Sequence, residues 1–281
     1  MVDFIVDILN AISSGISQSQ VDDLLKTPAA YNSSMYNLSL SIAQTAVKPV
    51  ASMVLAIVFT LELARVSSKV DGDRELGVKM VASAMIRIML VFTAAQHSEL
   101  LLKAIDQLGQ SVMDSFMSAS PTSGDASGLG LGDQMRDDID AAGWLGQLPC
   151  IVLLIIPFLV SKAASIVFTV VLLLRFVQIY LTAAFNPLPI AFIACDETRQ
   201  WGVNYFRQYA TLVFQCATLY LAVVLYRAFV GNVMSVSGYE KDSSLSGWIT
   251  SNFSNLLLAS VLLIGIVMVS NGVAKKLFGG E

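Results

Sequence analysis

The sequence predicts an all-α protein: a polytopic membrane helical bundle of about five transmembrane helices, with amphipathic helices at its N-terminus and in an outer loop. Three observations carry this. Of the 281 residues, 55% are hydrophobic and only 14% charged, and the mean hydropathy is +0.68, which is the composition of a membrane protein rather than a soluble domain. Several apolar runs are long enough to cross the ~30 Å hydrocarbon core of a bilayer. One of them, the fifty-two residues from Trp144 to Cys195, carries only two charges, Lys162 and Arg175.

Residues 1–39 read as an extracytoplasmic amphipathic arm. Val2, Phe4, Ile5, Ile8, Leu9 and Ile12 repeat at helical spacing opposite Asp3, Asp7 and Asn10. Ser14 and Gly15 close that helix, and a second short one fits Ser19 to Lys26, stopping before Pro28. Such an arm packs on its own bundle, lies on the membrane surface, or docks on a partner. There is no basic n-region ahead of it, so a cleaved signal peptide is not expected.

Residues 40–97 hold the first transmembrane pair. One span runs from about Leu40 to Ala64, with Lys48 and Pro49 near its outer third and Glu62 at its other end. The loop RVSSKVDGDRELGVK follows, then a span from about Gly77 to Ala95 interrupted by Arg87. Residues 98–143 read as an acidic extracytoplasmic loop. Leu100, Leu101, Ala104, Leu108, Val112 and Phe116 form an amphipathic helix, and a Ser/Gly/Asp-rich connection comes after it. Asp137, Asp138 and Asp140 cluster there without the oxygen-ligand spacing of a calcium loop.

Residues 144–281 form the C-terminal transmembrane region. A single helix from Trp144 to Cys195 would measure about 78 Å, so the run is expected to be broken, re-entrant or folded back. Gly146, Pro149, Pro157, Pro187 and Pro189 mark the candidate breaks. Leu148 to Val160 is either a re-entrant or tilted segment, or the outer extension of one long kinked span. Further spans run from about Tyr209 to Val230 and from Phe253 to Ala274.

Lysines and arginines orient the chain. Arg65, Lys69, Arg74 and Lys79 fill the first interspan loop, Arg199 and Arg207 follow the long span, and Lys275 and Lys276 end the last. This places the N-terminus outside and the C-terminus inside, with five spans. A six-span count would put Lys275 and Lys276 outside; Lys162 is the residue that could mark the extra turn.

No catalytic motif, metal-ligand cluster or phosphate loop is present in the sequence, and neither an enzyme activity nor a cofactor is expected. The net charge of −4 gives no global attraction to nucleic acid. The cysteines Cys150, Cys195 and Cys216 read as small buried hydrophobes. The costly residues are Arg87, Lys162 and Arg175, since a cation near the bilayer centre costs roughly 2.5–3.5 kcal/mol; Lys48, near the outer third of its span, can snorkel to the interface, and all four are candidate lumen or intersubunit residues. The plain reading is an intersubunit or interhelix hydrogen bond; because no carboxylate stands at matching depth in the sequence, a lumen, lipid phosphates or a partner is favoured.

The stretch Asn186, Pro187, Leu188, Pro189 stops a helix, because proline lacks the donor for the next backbone bond. Beyond it, 196–208 reads as a cytoplasmic elbow on which Trp201, Val203, Tyr205, Phe206 and Tyr209 lie beside Arg199 and Arg207. Aromatics with arginine serve equally as an interfacial anchor and as a docking surface.

NPLPIAFIA, an acidic–basic pair and WGVNYFRQYATLVFQCATLYLAVVL together resemble the TrbL-like polytopic membrane subunits of type IV secretion (conjugation) systems, especially those of Gram-positive elements. The motif resemblance covers Phe185 to Val224; elsewhere it rests on layout. Asn186, Pro187, Pro189, Glu197, Gly202, Asn204 and Tyr205 fit the pattern, as structural or assembly positions. Arg199, Trp201 and Arg207 complete the candidate partner-docking elbow. The resemblance implies a channel or scaffold subunit in the bacterial cytoplasmic (inner) membrane, assembled as a homo-oligomeric ring that helps pass a DNA–protein substrate. It further implies a bitopic scaffold protein and a cytoplasmic ATPase as partners, beside membrane lipids. The rival readings are a transporter or pore unrelated to conjugation, and a purely structural membrane scaffold. No internal repeat of the transporter kind is found.

Overall fold

The computed structural model describes residues 1–69, 74–119, 130–233 and 245–278, and those residues are helices joined by short turns. In order they are α1 (Val2–Ser14), α2 (Gln18–Leu25), α3 (Pro28–Tyr31), α4 (Ser33–Ile42), α5 (Lys48–Lys69), α6 (Arg74–Gln96), α7 (Ser98–Ala119), α8 (Leu131–Gln134), α9 (Arg136–Ala141), α10 (Gly143–Ala184), α11 (Pro187–Phe192), α12 (Arg199–Val233) and α13 (Leu245–Phe278). Among the described residues five helical stretches are long and apolar enough to cross a membrane: Ser33–Ser67, Gly77–Gln96, Gly143–Ala184, Arg199–Val230 and Ser246–Leu277. The protein is thus an all-α membrane helical bundle with the five spans that its sequence predicts.

Several boundaries differ from the sequence reading. The first span begins at Ser33 rather than Leu40, because α4 joins α5 through a π-turn at Ala43–Val47. Pro49 explains the slip: it has no N–H for the carbonyl one turn back, and an extra residue in the preceding turn relieves the clash. The loop expected at 65–79 contracts, since α5 runs to Lys69 and α6 starts at Arg74. The break expected inside 144–195 also moves. Pro149 and Pro157 both sit within a continuous α10, and the chain turns first at Phe185 and Asn186 and again at residues 193–195. Of the two forms open for Leu148 to Val160, the extension of one long span is the one observed. Asp137, Asp138 and Asp140 lie on or beside α9 rather than in a Gly-rich loop. The Ser/Gly-rich connection at 120–129 lies outside the described residues, as do residues 234–244 of the loop before the last span.

The chain divides into two compact units, one of 1–25, 112–174 and 215–274, the other of 26–111, 175–214 and 275–281. In the first, α1 buries Ile5, Val6, Ile8, Leu9 and Ile12. Asn10 holds α8 with both ends of its amide, donating to Asp133 Oδ2 at 3.0 Å and accepting from the Gly132 N–H at 2.8 Å. Arg136 pairs with Asp3. A Cβ at Gly132 would lie 2.2 Å from the Val6 carbonyl oxygen, so glycine is what allows the approach. Gly15 closes α1 at φ +61°, a left-handed conformation, against Tyr226 and Leu263. Ser161 Oγ donates to the Ala11 carbonyl at 2.9 Å, and Gln20 Nε2 reaches Ser165 O and Thr169 Oγ1 on α10. Most of the apolar face of α1 is therefore covered within its own chain, while Phe4 of that face is 54% exposed. Ser260 of α13 donates to the Pro157 carbonyl at 3.2 Å, a helix–helix bond of the kind that small polar residues make in membranes.

In the second unit α5 and α6 form a hairpin, and α11 packs on both. Ala51, Leu55 and Val58 of α5, Ala95 of α6, and Ile190, Ala191, Ala194 and Cys195 make the core, with Val91 and Phe206 beside it. The α7 helix is amphipathic as expected, but its packed face is Leu102 and Met113. Leu100, Leu101, Leu108 and Phe116, expected as its apolar face, are exposed.

Candidate functional site

The second unit gathers most of the chain's polar chemistry, in three places. The first is the turn Asp196, Glu197, Thr198 between α11 and α12. Two adjacent carboxylates here meet arginines from two different spans. Asp196 pairs with Arg87 of α6, and Glu197 accepts from Arg65 of α5 at 2.6 Å. Arg65 also reaches Glu62 at 3.2 Å on its own helix. The hydrogen bond and charge of Arg87 hold the Asp196 carboxyl below the usual carboxylate range. Thr198 Oγ1 donates to the Phe192 carbonyl at 2.7 Å, tying off the short α11. Arg87 had been expected to find no carboxylate in its own chain. That expectation is corrected: Asp196 is remote in sequence but folds back onto α6.

Helix α12 then divides the elbow residues by face. Gly202 is buried, and a Cβ there would stand 2.4 Å from the Pro189 carbonyl oxygen. Tyr205 donates to the Thr182 carbonyl at 2.7 Å. Trp201 is 61% exposed, with one edge on the Phe192 ring at 5.5 Å between centroids. Asn204 accepts from Gln200 at 3.0 Å, and both are exposed, as are Arg199 and Arg207. Half of the elbow is therefore packing and half is surface. The separate elbow segment expected at 196–208 is mostly the first turns of α12.

The second place is a buried polar cluster around Asp106 of α7. Tyr209 donates to Asp106 Oδ1 at 3.0 Å, Tyr36 bonds to the same carboxyl, and the charge of Arg175 acts on it. Burial pushes the Asp106 carboxyl up to about 6, and the two tyrosines and Arg175 draw it back only in part. Arg175 is 3% exposed. Its Nε donates to the Leu212 carbonyl at 2.9 Å, its guanidinium lies over the Phe176 ring at 4.9 Å, and its Nη1 finds no partner among the described residues. Tyr31 stacks on Phe176 at 3.9 Å, and Tyr180 donates to the Pro28 carbonyl.

The third place is a small enclosed cavity of about 10 Å³ lined by Gln44, Lys48, Glu99, Asn186 and Pro187 among others. Lys48 Nζ donates to the Gln96 carbonyl at 3.0 Å, and Gln44 to Glu99 at 3.2 Å. Asn186 is 1% exposed and its Oδ1 has no partner among the described residues. Pro187 opens α11, and Pro189 lies within it.

In the first unit Lys162 is exposed on α10, with its ammonium 5.4 Å from the Phe158 ring centroid. Cys150, Cys195 and Cys216 are buried thiols. Among the described residues no group of three or more His, Cys, Asp or Glu side chains comes together that could hold a metal ion.

Sequence reasoning missed Asp106, Tyr36 and the pairing of Asp196, and it placed Tyr209 on the elbow's aromatic surface, where the structure buries it. One signal was present: Asp106 shares a helix face with Leu102, Gly109 and Met113, at spacings of four, three and four residues. A carboxylate in a stripe of small and apolar residues faces the packed side of its helix, and Asp106 is half-buried there. A protein-family model described as TrbL/VirB6 plasmid conjugal transfer like protein matches residues 15–187. No curated protein matches the chain. The matched residues cover most of the N-terminal arm, the first two membrane-length helices, residues 98–143 and α10. They end where the motif that carried the sequence resemblance begins.

Proposed function

Because this chain belongs to the TrbL/VirB6 plasmid conjugal transfer-like family, we propose that it is a channel or scaffold subunit of a type IV secretion machine. It sits in the bacterial cytoplasmic membrane with its N-terminus outside and its C-terminus inside. Copies assemble into a homo-oligomeric ring that helps a DNA–protein substrate cross, without catalysing a reaction. The family match over residues 15–187, on a chain with five membrane-length helices, is the observation that carries this reading.

The exposed half of the elbow, Arg199, Trp201, Asn204 and Arg207, is the surface offered to a cytoplasmic ATPase or to the bitopic scaffold. The packed half, buried Asn186, Pro187 and Gly202 with half-buried Pro189 and Tyr205, holds that surface in place. Lys162 is the cation that best suits a lumen or an intersubunit contact, since it is exposed and has no ion pair among the described residues. Lys48, Arg87 and Arg175 are engaged within the chain, so a lumen role for them requires their partners to be lumenal too.

Deleting the chain from a donor cell tests the function directly. Conjugative transfer should be lost and should return with the intact chain; unchanged transfer would overturn the reading. Single cysteines at Ala126, Gln200 and Gly279, in a background lacking the native three, test the orientation. A membrane-impermeant maleimide should label Ala126 on intact cells and the other two only after permeabilisation. Labelling of Gly279 from outside would exclude an inward C-terminus.

A further inference from the structure

On the α6 side of the Asp196 turn lies an open cavity of about 600 Å³, lined by Ser83, Ile86, Arg87, Leu90, Val91, Ile193, Asp196 and Arg199. That size is ordinary for a small-molecule site. Its chemistry is divided. Ser83, Ile86, Arg87 and Leu90 recur at helical spacing and form one face of α6. Arg199, at the first turn of α12, closes the polar end. Two guanidiniums and one carboxylate leave a net positive charge. Asp196 pairs with Arg87, and the charge of Arg199 also acts on it; Arg199 itself is exposed and makes no ion pair within 4.0 Å among the described residues.

The apolar end does not stop at the cavity. Ile86 and Leu90 are 62% and 67% exposed, and Met85 and Met89 continue the exposed surface. On a membrane-length helix that surface faces acyl chains. A ligand here needs an anionic head for Arg199 and a long apolar tail for the α6 face. We propose that this cavity binds an anionic glycerophospholipid, with its phosphate on Arg199 and an acyl chain along Ile86 and Leu90. Guanidinium suits this role because it meets phosphate oxygens through two parallel N–H donors. Ser83 supplies a hydroxyl beside them. The lipid would brace α6 against the start of α12, where the exposed half of the elbow begins.

Native mass spectrometry of the full chain in detergent tests this, with dioleoyl phosphatidylglycerol, dioleoyl phosphatidylcholine and glycerol 1-phosphate as probes. Phosphatidylglycerol should be retained in preference to phosphatidylcholine. Arg199→Gln should weaken that retention about tenfold, the weight of one charge-assisted contact. Arg207→Gln, an exposed arginine on the same helix but outside the cavity, should leave it unchanged. Glycerol 1-phosphate should not displace the lipid at equal concentration. Equal retention of both lipids, or equal loss in both variants, would overturn the proposal. Displacement by glycerol 1-phosphate would make this a free-phosphate site instead. The readout uses purified protein, so it stands apart from any transfer assay.

Discussion

Asp106 shows how a single residue can make the fold sensitive to pH. The folded protein holds its proton to about pH 6, whereas the carboxyl ordinarily releases it near 3.8. Between those values the native state binds more protons than the unfolded chain, so stability falls as pH rises. The contribution is complete below about 3.8 and gone above about 6, and is on the order of 3 kcal/mol. Melting temperatures in detergent should therefore drop between pH 4.5 and 6.5 for the wild type. Asp106→Asn should lack that step, and the same slope in both proteins would assign it elsewhere. Gly202 makes the complementary steric case. The oxygen a Cβ would strike belongs to the Pro189 backbone and cannot swing aside. Gly202→Ala should cost about 1–3 kcal/mol, read as a lowered melting temperature. At this scale the sequence was partly legible. Gly202 and Tyr205 stood out by pattern, although nothing in the pattern said that they face inward. The partners Arg87–Asp196 and Arg175–Asp106 were invisible, because 109 residues separate the first pair in the chain and sequence depth alone cannot bring them together.

Helices and turns were more legible than contacts. Apolar length alone placed all five spans, and the Asn186–Pro187 stop fell where the chain turns. Proline was over-read, however. In α10 it was expected to break the helix, yet at Pro149 and Pro157 the backbone continues. Membrane helices tolerate such prolines, and here the α10 backbone also takes a bond from a neighbouring helix, Ser260 to the Pro157 carbonyl. A helix of 42 residues measures about 63 Å. Fitting it inside a ~30 Å core would need a tilt near 60°, beyond the usual range of 0–40°, so at least one end stands in water. A cysteine at Trp144 should react readily with a water-soluble maleimide and one at Val170 should not; protection of both would mean that the helix is wholly embedded. The docking of α1 on α8 rests on one amide. Asn10→Ala removes both of its bonds to α8 and should cost about 1–2 kcal/mol, seen as faster hydrogen exchange over Val2–Ser14.

For the molecule as a whole, each compact unit is assembled from three separated pieces of chain. This was not legible in the sequence, where the natural cut lay between residues 143 and 144. Local hydropathy reports how each segment meets lipid, and says nothing about which distant segment it meets. One expectation follows for truncation. Removing α13 takes away Leu256, Ala259, Leu263 and Val267, all buried in the first unit, together with the Ser260 bond to α10. A chain ending at residue 244 should fail to accumulate in the membrane fraction on an immunoblot, while losing only 279–281 should have no effect. Normal accumulation of the shorter chain would mean that the first unit folds without its last helix.

Gly132 carries a consequence for how this sequence can change over generations. Any amino-acid replacement at that position adds at least a Cβ, which must share space with the Val6 carbonyl 2.2 Å away. The position cannot drift while α1 is docked. In a lineage that lost its first fourteen residues, the constraint would lift, and larger side chains would accumulate at 132 before they accumulated at the buried positions of α10. The codon is thus a genetic record of whether the arm is in place.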